Sequence, residues 1–303
     1  MPDGTRTDVD RPVLGGRFPD RRTLERRFDD LVRENRFTIA VVFPAVGAAM
    51  LYGSAEGLLP ALLTYNATLI LIGVIVMRLP LIAGVLPLTD RRAAITIGVL
   101  TAYAYGIELV GVRTGWPYGE FTYGIDLGPM LFGEVPIGLP VFFFPLVLNS
   151  YLLGILLLGE RARKRWIRLP AVLALVMVVD LVLDPGAVAI QFWQYETGDF
   201  YGVPWSNYGG WLLSGTVAVF LFDVAFAREG LLRRLEETEF MLDDLVSFVI
   251  LWGGLNAAYG NWIPVLLAAG LGAGLLWTDR FDFDLSTARI PRFVRRTWRA
   301  ARR

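Results

Sequence analysis

Read as a succession of apolar and polar stretches, the chain breaks into long apolar runs separated by short polar ones. Residues 1–36 alternate Arg with Asp and Glu, and the first apolar run opens at Phe37. A bilayer core takes about 20 apolar residues per helix. Eight runs approach that length: 37–53, 58–77, 93–112, 135–158, 168–184, 208–227, 242–259 and 262–278. The ten-residue piece LPLIAGVLPL at 79–88 contains two prolines and reads as re-entrant or interfacial. The expected fold is all-α, a polytopic membrane bundle of about eight transmembrane helices. Residues 1–36 form a cytoplasmic amphipathic segment, 37–278 a single transmembrane domain and 279–303 a basic cytoplasmic tail.

Charge tests that topology. With the N-terminus inside, 28 of the 29 Lys and Arg residues fall on cytoplasmic segments and only Arg113 falls outside. The positive-inside rule therefore supports eight spans with both ends in the cytoplasm of a cell-membrane protein. Leu24, Phe28, Leu31 and Val32 recur at helical spacing among charges, and Phe293 and Trp298 lie in the Arg-rich end. Both tails are expected to lie on anionic membrane lipid. Nucleic acid is the rival partner for the basic C-terminus, but a juxtamembrane basic segment is the commoner case and is preferred.

Composition then narrows the chemistry. The chain is 54% hydrophobic, with a formal net charge of zero, no Cys and no His. Thiol nucleophiles, zinc sites, iron–sulfur clusters and His-ligated haem all need those side chains. Carboxylates, hydroxyls, amides, Arg, aromatics and a single Lys, Lys164, remain. Acid/base chemistry is the natural candidate.

Two outer loops stand out. TGWPYGEFTYG (114–124) and ETGDFYGVPWSNYGGW (196–211) are rich in Gly and aromatics, and each is followed or accompanied by Val-Pro, at Val135-Pro136 and Val203-Pro204. The helix before each loop carries acids near its outer end: Glu108 in one case, Asp180 and Asp184 in the other. This order suggests a parallel internal repeat with a shared site between the copies. Any single ring is most simply a member of the interfacial aromatic belt. However, segments 113–136 and 184–211 hold 13 of the 39 aromatics in 52 residues, and a belt would enrich both faces.

The acids weigh more than the rings. An ionised carboxylate near the bilayer centre costs about 2.5–3.5 kcal/mol on insertion scales, so such residues face a cavity or a partner. Asp180 and Asp184 are one helical turn apart, and Pro185 is expected to end their helix. Two close carboxylates in a low dielectric do not both ionise easily, so one is expected to keep its proton. The alternative for each acid is structural, through Arg113 or loop amides. Asp223, Asp243 and Asp244, near the cytoplasmic ends of their helices, read as structural charges. Asn66, Asn149 and Asn256 either bind a polar group or join helices.

The motifs Glu108-x-x-Gly111, TGWPYGEFTY, EVPIGLP, DLVLDP and GDFYGVPWSNYGGW together resemble the integral-membrane carotenoid hydratases of the carotenoid biosynthesis protein family, over roughly residues 37–278. The resemblance implies a long C50 carotenoid substrate, with water added to its terminal isopentenyl double bonds to give the tertiary alcohols of bacterioruberin, and no cofactor. An Arg-to-Lys ratio of 28 to 1 agrees with a haloarchaeal source. Alkene hydration needs a proton donor, a shielded tertiary cation and one water. Asp184 would be the acid, with Asp180 or Glu108 its partner. Trp193, Tyr201, Trp205 and Trp211 would form a cation box, each ring contributing about 0.5–2 kcal/mol when desolvated. Asn207 and Tyr123 would orient water. The rivals are a carotenoid cyclase, a membrane prenyltransferase suggested by DLVLD, and a transporter.

Overall fold

The structure, a computed structural model, describes residues 20–281. Ten α-helices carry it: α1 (Arg21–Glu34), α2 (Phe43–Ala55, continuing a π turn at Thr38–Val42), α3 (Ala67–Val85), α4 (Arg91–Thr114), α5 (Leu139–Leu158), α6 (Arg165–Ala189), α7 (Trp205–Ala225), α8 (Arg228–Glu237), α9 (Asp243–Ala258) and α10 (Trp262–Trp277). Seven helical stretches, α2 to α7 and α9 with the turns that extend them, are long and apolar enough to cross a bilayer. The 16-residue α10 reaches about 24 Å at 1.5 Å per residue. It packs on α9, to which a three-residue turn joins it. The expected helical membrane bundle is what these elements form.

Prolines explain where the expected boundaries fail. Residues 79–85 are not a separate re-entrant piece: they continue α3 with Pro80 inside it, while 58–65 form the irregular approach. Asn66 marks the true start, its side chain accepting from the Leu69 N–H at 3.1 Å. Pro185 likewise lies inside α6, which runs on to Ala189. Neighbouring helices make such prolines tolerable by holding the backbone around them. Asn256 of α9 donates to the Val182 carbonyl at 2.8 Å, and Asn261 to that of Pro185 at 3.4 Å. A Cβ on Gly186 would lie 3.0 Å from Trp252, so α6 and α9 pass in close contact there.

The bundle has two unlike ends. At the arginine-rich end, Arg36 reaches Asp243 with two hydrogen bonds, 2.8 and 2.9 Å. Arg78 pairs with Asp244, and Arg165 and Arg168 hold Asp223 with the Tyr151 hydroxyl at 2.6 Å. Arg234 holds Asp29 at 2.7 Å. Asp223, Asp243 and Asp244 thus have the structural roles expected, with the cations of Asp223 supplied by α6. Helix α1 lies against this end, with Val32 buried and Phe28 packed beside Ala83 and Phe240. Only Leu24 and Leu31 of its expected lipid face remain exposed. Phe293 and Trp298 lie outside the described residues.

The other end carries the long loops. Two short strands, β1 (Phe121–Tyr123) and β4 (Trp193–Tyr195), pair antiparallel with Phe121 opposite Tyr195 and Tyr123 opposite Trp193. A smaller ribbon pairs β2 (Met130–Leu131) with β3 (Val135–Pro136). The two loops therefore meet, though not in the register their sequence likeness suggests. β1 pairs with residues upstream of GDFYG, and Gly119 and Gly202 adopt positive φ while their counterparts Gly198 and Gly124 do not.

Candidate active site

Beneath the β1–β4 ribbon lies a cavity enclosing about 230 Å³. Alternation along the two strands points Phe121, Tyr123, Trp193 and Tyr195 into it and turns Thr122 and Gln194 outward. From the ribbon it runs along α3 from Asn66 to Arg78, twelve residues or about 18 Å of helix. The walls are apolar: Met50, Val74, Met77, Phe143, Leu183 and Trp252 are typical. Its most exposed lining residues are Phe43, Leu63 and Leu69, which places the mouth beside α2 and the start of α3. Sites that enclose a whole drug-sized ligand span roughly 300–1,000 Å³. A narrower slot with a lateral mouth suits one end of a long apolar chain.

Three carboxylates gather where the slot meets the ribbon. Asp184 is buried and lines the cavity, accepting a short hydrogen bond from the Asn207 side-chain amide on the first turn of α7. Asp180 sits one turn back, fully buried, within hydrogen-bonding reach of Asp184, and neither of its oxygens has another donor. Two carboxylates this close in a dry interior repel one another unless a proton lies between them. Glu108, on α4, also lines the cavity and lies close enough for its charge to act on Asp184. It accepts a short hydrogen bond from the Tyr123 hydroxyl. Burial, reinforced by Glu108, pushes the Tyr123 hydroxyl well above the ordinary phenol range, so it remains a donor.

No Arg or Lys pairs with any of these three acids among the described residues. Arg113, the one basic residue expected on this side, instead pairs with Glu134 at 2.7 and 2.9 Å. A structural ion pair to Arg113 is therefore not what holds Glu108, Asp180 or Asp184. Asn149 and Asn256 serve helix joining, at Asp244 and Val182, while Asn66 caps α3 and also lines the cavity.

The residues expected to form the site divide. Asp184, Glu108, Tyr123, Trp193, Asn207 and Trp211 all line the cavity, and Asp180 backs Asp184. Trp211 packs on Phe143 with ring centroids 5.6 Å apart. Tyr201 and Trp205 do not reach it: Trp205 is 60% exposed and, with Tyr201, packs on Phe200 at the surface. The cause is local, because Tyr201 occupies a positive-φ turn and Trp205 opens α7 on its outer face. The cavity gains residues that were not singled out: Tyr118, Tyr195, Phe192 and Trp252. Tyr118 and Tyr195 lie in or beside the aromatic stretches, but nothing in their order along the chain separates rings that face inward from rings that face outward.

Fold and site together define a multi-pass helical membrane protein with an apolar slot ending in an uncompensated acid cluster. The profile of the carotenoid biosynthesis protein family matches residues 65–275, and the chain belongs to that family. It is 66% identical, over 291 residues, to the bisanhydrobacterioruberin hydratase of Haloarcula japonica, an alignment covering 96% of this chain and 98% of that relative. No solved structure matches.

Proposed function

We propose that this chain is a carotenoid hydratase of the cell membrane, adding water to the terminal isopentenyl double bonds of bisanhydrobacterioruberin to give bacterioruberin, with both termini in the cytoplasm. The observation that carries the reading is the buried Asp180–Asp184 pair at the end of an apolar slot, with no Arg or Lys paired to it among the described residues. The family and the relative's name supply the substrate class.

In the proposed cycle the carotenoid end enters beside α2 and α3 and lies along α3 with its double bond at Asp184. Asp184 gives the shared proton to the less substituted alkene carbon; a C–H bond forms, the π bond breaks and the tertiary carbon becomes cationic. Trp193, Trp211 and the Phe and Tyr faces of the ribbon stabilise that cation. A water molecule adds its oxygen to the cation and loses a proton to Glu108, whose orientation Tyr123 fixes. Return of one proton to the aspartate pair closes the cycle. Asn207 keeps Asp184 in place and helps to hold the water. Net, one water is consumed per double bond, with no redox change.

Expression in cells that accumulate bisanhydrobacterioruberin tests the reading. The pigment is expected to gain the mass of one or two waters. Protein present in the membrane with an unchanged pigment profile would overturn it, and a ring-closed product of unchanged mass would favour the cyclase.

A further inference from the structure

The β1–β4 ribbon has a second occupied face. Above it, on the side away from the slot, a polar pocket is lined by Arg113, Glu120, Thr122, Gln194 and Glu196. Phe121 and Tyr195 line this pocket and the apolar cavity alike. They sit directly across from each other in the ribbon, ring centroids 6.0 Å apart. A sheet two strands wide and three residues long thus separates a polar recess from the acid cluster, and Phe121 and Tyr195 are the residues that border both.

Hydration poses a supply problem that this arrangement answers. The slot is apolar along its length and opens at exposed apolar residues, so a bound carotenoid fills the very route that leads to lipid. The water consumed has to come from elsewhere. The Tyr195 hydroxyl makes no hydrogen bond to any described residue, yet it lies within the electrostatic reach of Asp184, Asp180 and Glu108. A phenol with a free donor and acceptor near the acids, on a residue that also borders the polar recess, is placed to hold a water in transit.

Resting on the hydratase reading, we propose that the water for the reaction enters from the polar pocket across the β1–β4 ribbon, admitted at the Phe121–Tyr195 pair, with the Tyr195 hydroxyl as the positioning group that passes it to the acids. Water and carotenoid then approach the acids from opposite sides. That separation keeps the cation dry until one molecule is delivered.

The chain has no Cys, so a single introduced thiol can be modified cleanly. In purified protein reconstituted with bisanhydrobacterioruberin, Thr122→Cys labelled with a charged, membrane-impermeant thiol reagent is expected to lose turnover about tenfold or more against the same variant unlabelled, while carotenoid binding, read from the pigment's absorbance, is kept. Phe132→Cys, on an exposed loop outside both cavities, is expected to tolerate the label. Tyr195→Phe, which keeps the ring, is expected to lower kcat about tenfold at unchanged KM, the size of one lost hydrogen bond. Full turnover in both labelled Thr122→Cys and Tyr195→Phe would overturn the route and leave the hydratase reading standing. A wild-type chain that leaves the carotenoid unchanged would overturn both.

Discussion

The two ends of this bundle treat buried acids in opposite ways. At the arginine-rich end Asp29, Asp223, Asp243 and Asp244 each meet a guanidinium, whereas at the ribbon end Asp180, Asp184 and Glu108 meet, among the described residues, only an amide, a phenol and one another. The first arrangement offsets the desolvation of each charge and fixes helices to helices. The second leaves the acids with no cation to offset desolvation, the setting in which a carboxyl can hold a proton and, on the proposed reading, transfer it. On the proposed reading, the same residue type is structural or reactive according to whether an arginine stands beside it.

The sharpest way to break that contrast is to remove the carboxyl at each end in turn. Asp184→Asn is expected to lower hydration roughly a thousandfold, within the range of lost general acid catalysis, while insertion into the membrane is unaffected. Asp180→Asn is expected to lower turnover as well, yet to leave thermal stability in detergent unchanged or raised, because it relieves an acid pair rather than breaking an ion pair. Arg78→Ala is expected to do the reverse. It strands Asp244 in the interior and should lower stability by about 3–5 kcal/mol, read by thermal unfolding in detergent. If Arg78→Ala unfolds no more easily than Asp180→Asn, the distinction between the two ends fails.

The slot between the ends is tested by filling it. Gly73 lines the cavity and a Cβ there would meet nothing within 4 Å, so the first carbon of Gly73→Leu enters open space and the rest of the side chain adds bulk at the cavity. It is expected to raise KM for a long carotenoid about tenfold, with stability kept since Leu is the better helix former. The smallest effect is expected at Arg113–Glu134. The hydrogen bond from Arg113 holds the Glu134 carboxyl below its ordinary range, so its contribution is present above that range and is lost as the pH falls through the lowered value. Glu134→Gln should flatten this acid limb of a pH–stability curve only slightly, and less at high salt, because the pair is exposed.

Much of this was legible along the chain. Acids are rare in apolar runs, so Glu108, Asp180 and Asp184 declare themselves by composition alone, and the arginine asymmetry matches the cluster at one end. The helix boundaries were not legible at Pro80 and Pro185, because a proline that breaks a helix in water is tolerated inside a packed bundle, and at Pro185 the Asn256 and Asn261 side chains donate to neighbouring carbonyls. Nor were the roles of individual rings. Trp193 and Trp205 stand in comparable aromatic surroundings, and only the pairing of three-residue strands, too short to show a period, turns the first inward. Tyr195 went unremarked for the same reason.

The ribbon has a consequence for how the molecule is made. Its strands pair Phe121 with Tyr195, residues separated by α5 and α6, so the roof of the chamber is a long-range contact whose closure entropy is met only after both helices are in place. The segment carrying Glu108 and Tyr123 emerges first and the segment carrying Asp184 and Trp193 much later. During synthesis, therefore, the nascent chain holds half a chamber with no acid pair, and the proposed proton donor gains its enclosure only when the two loops find each other. Assembly itself acts as the safeguard: an incomplete chain has the apolar helices of the enzyme but not yet its chemistry.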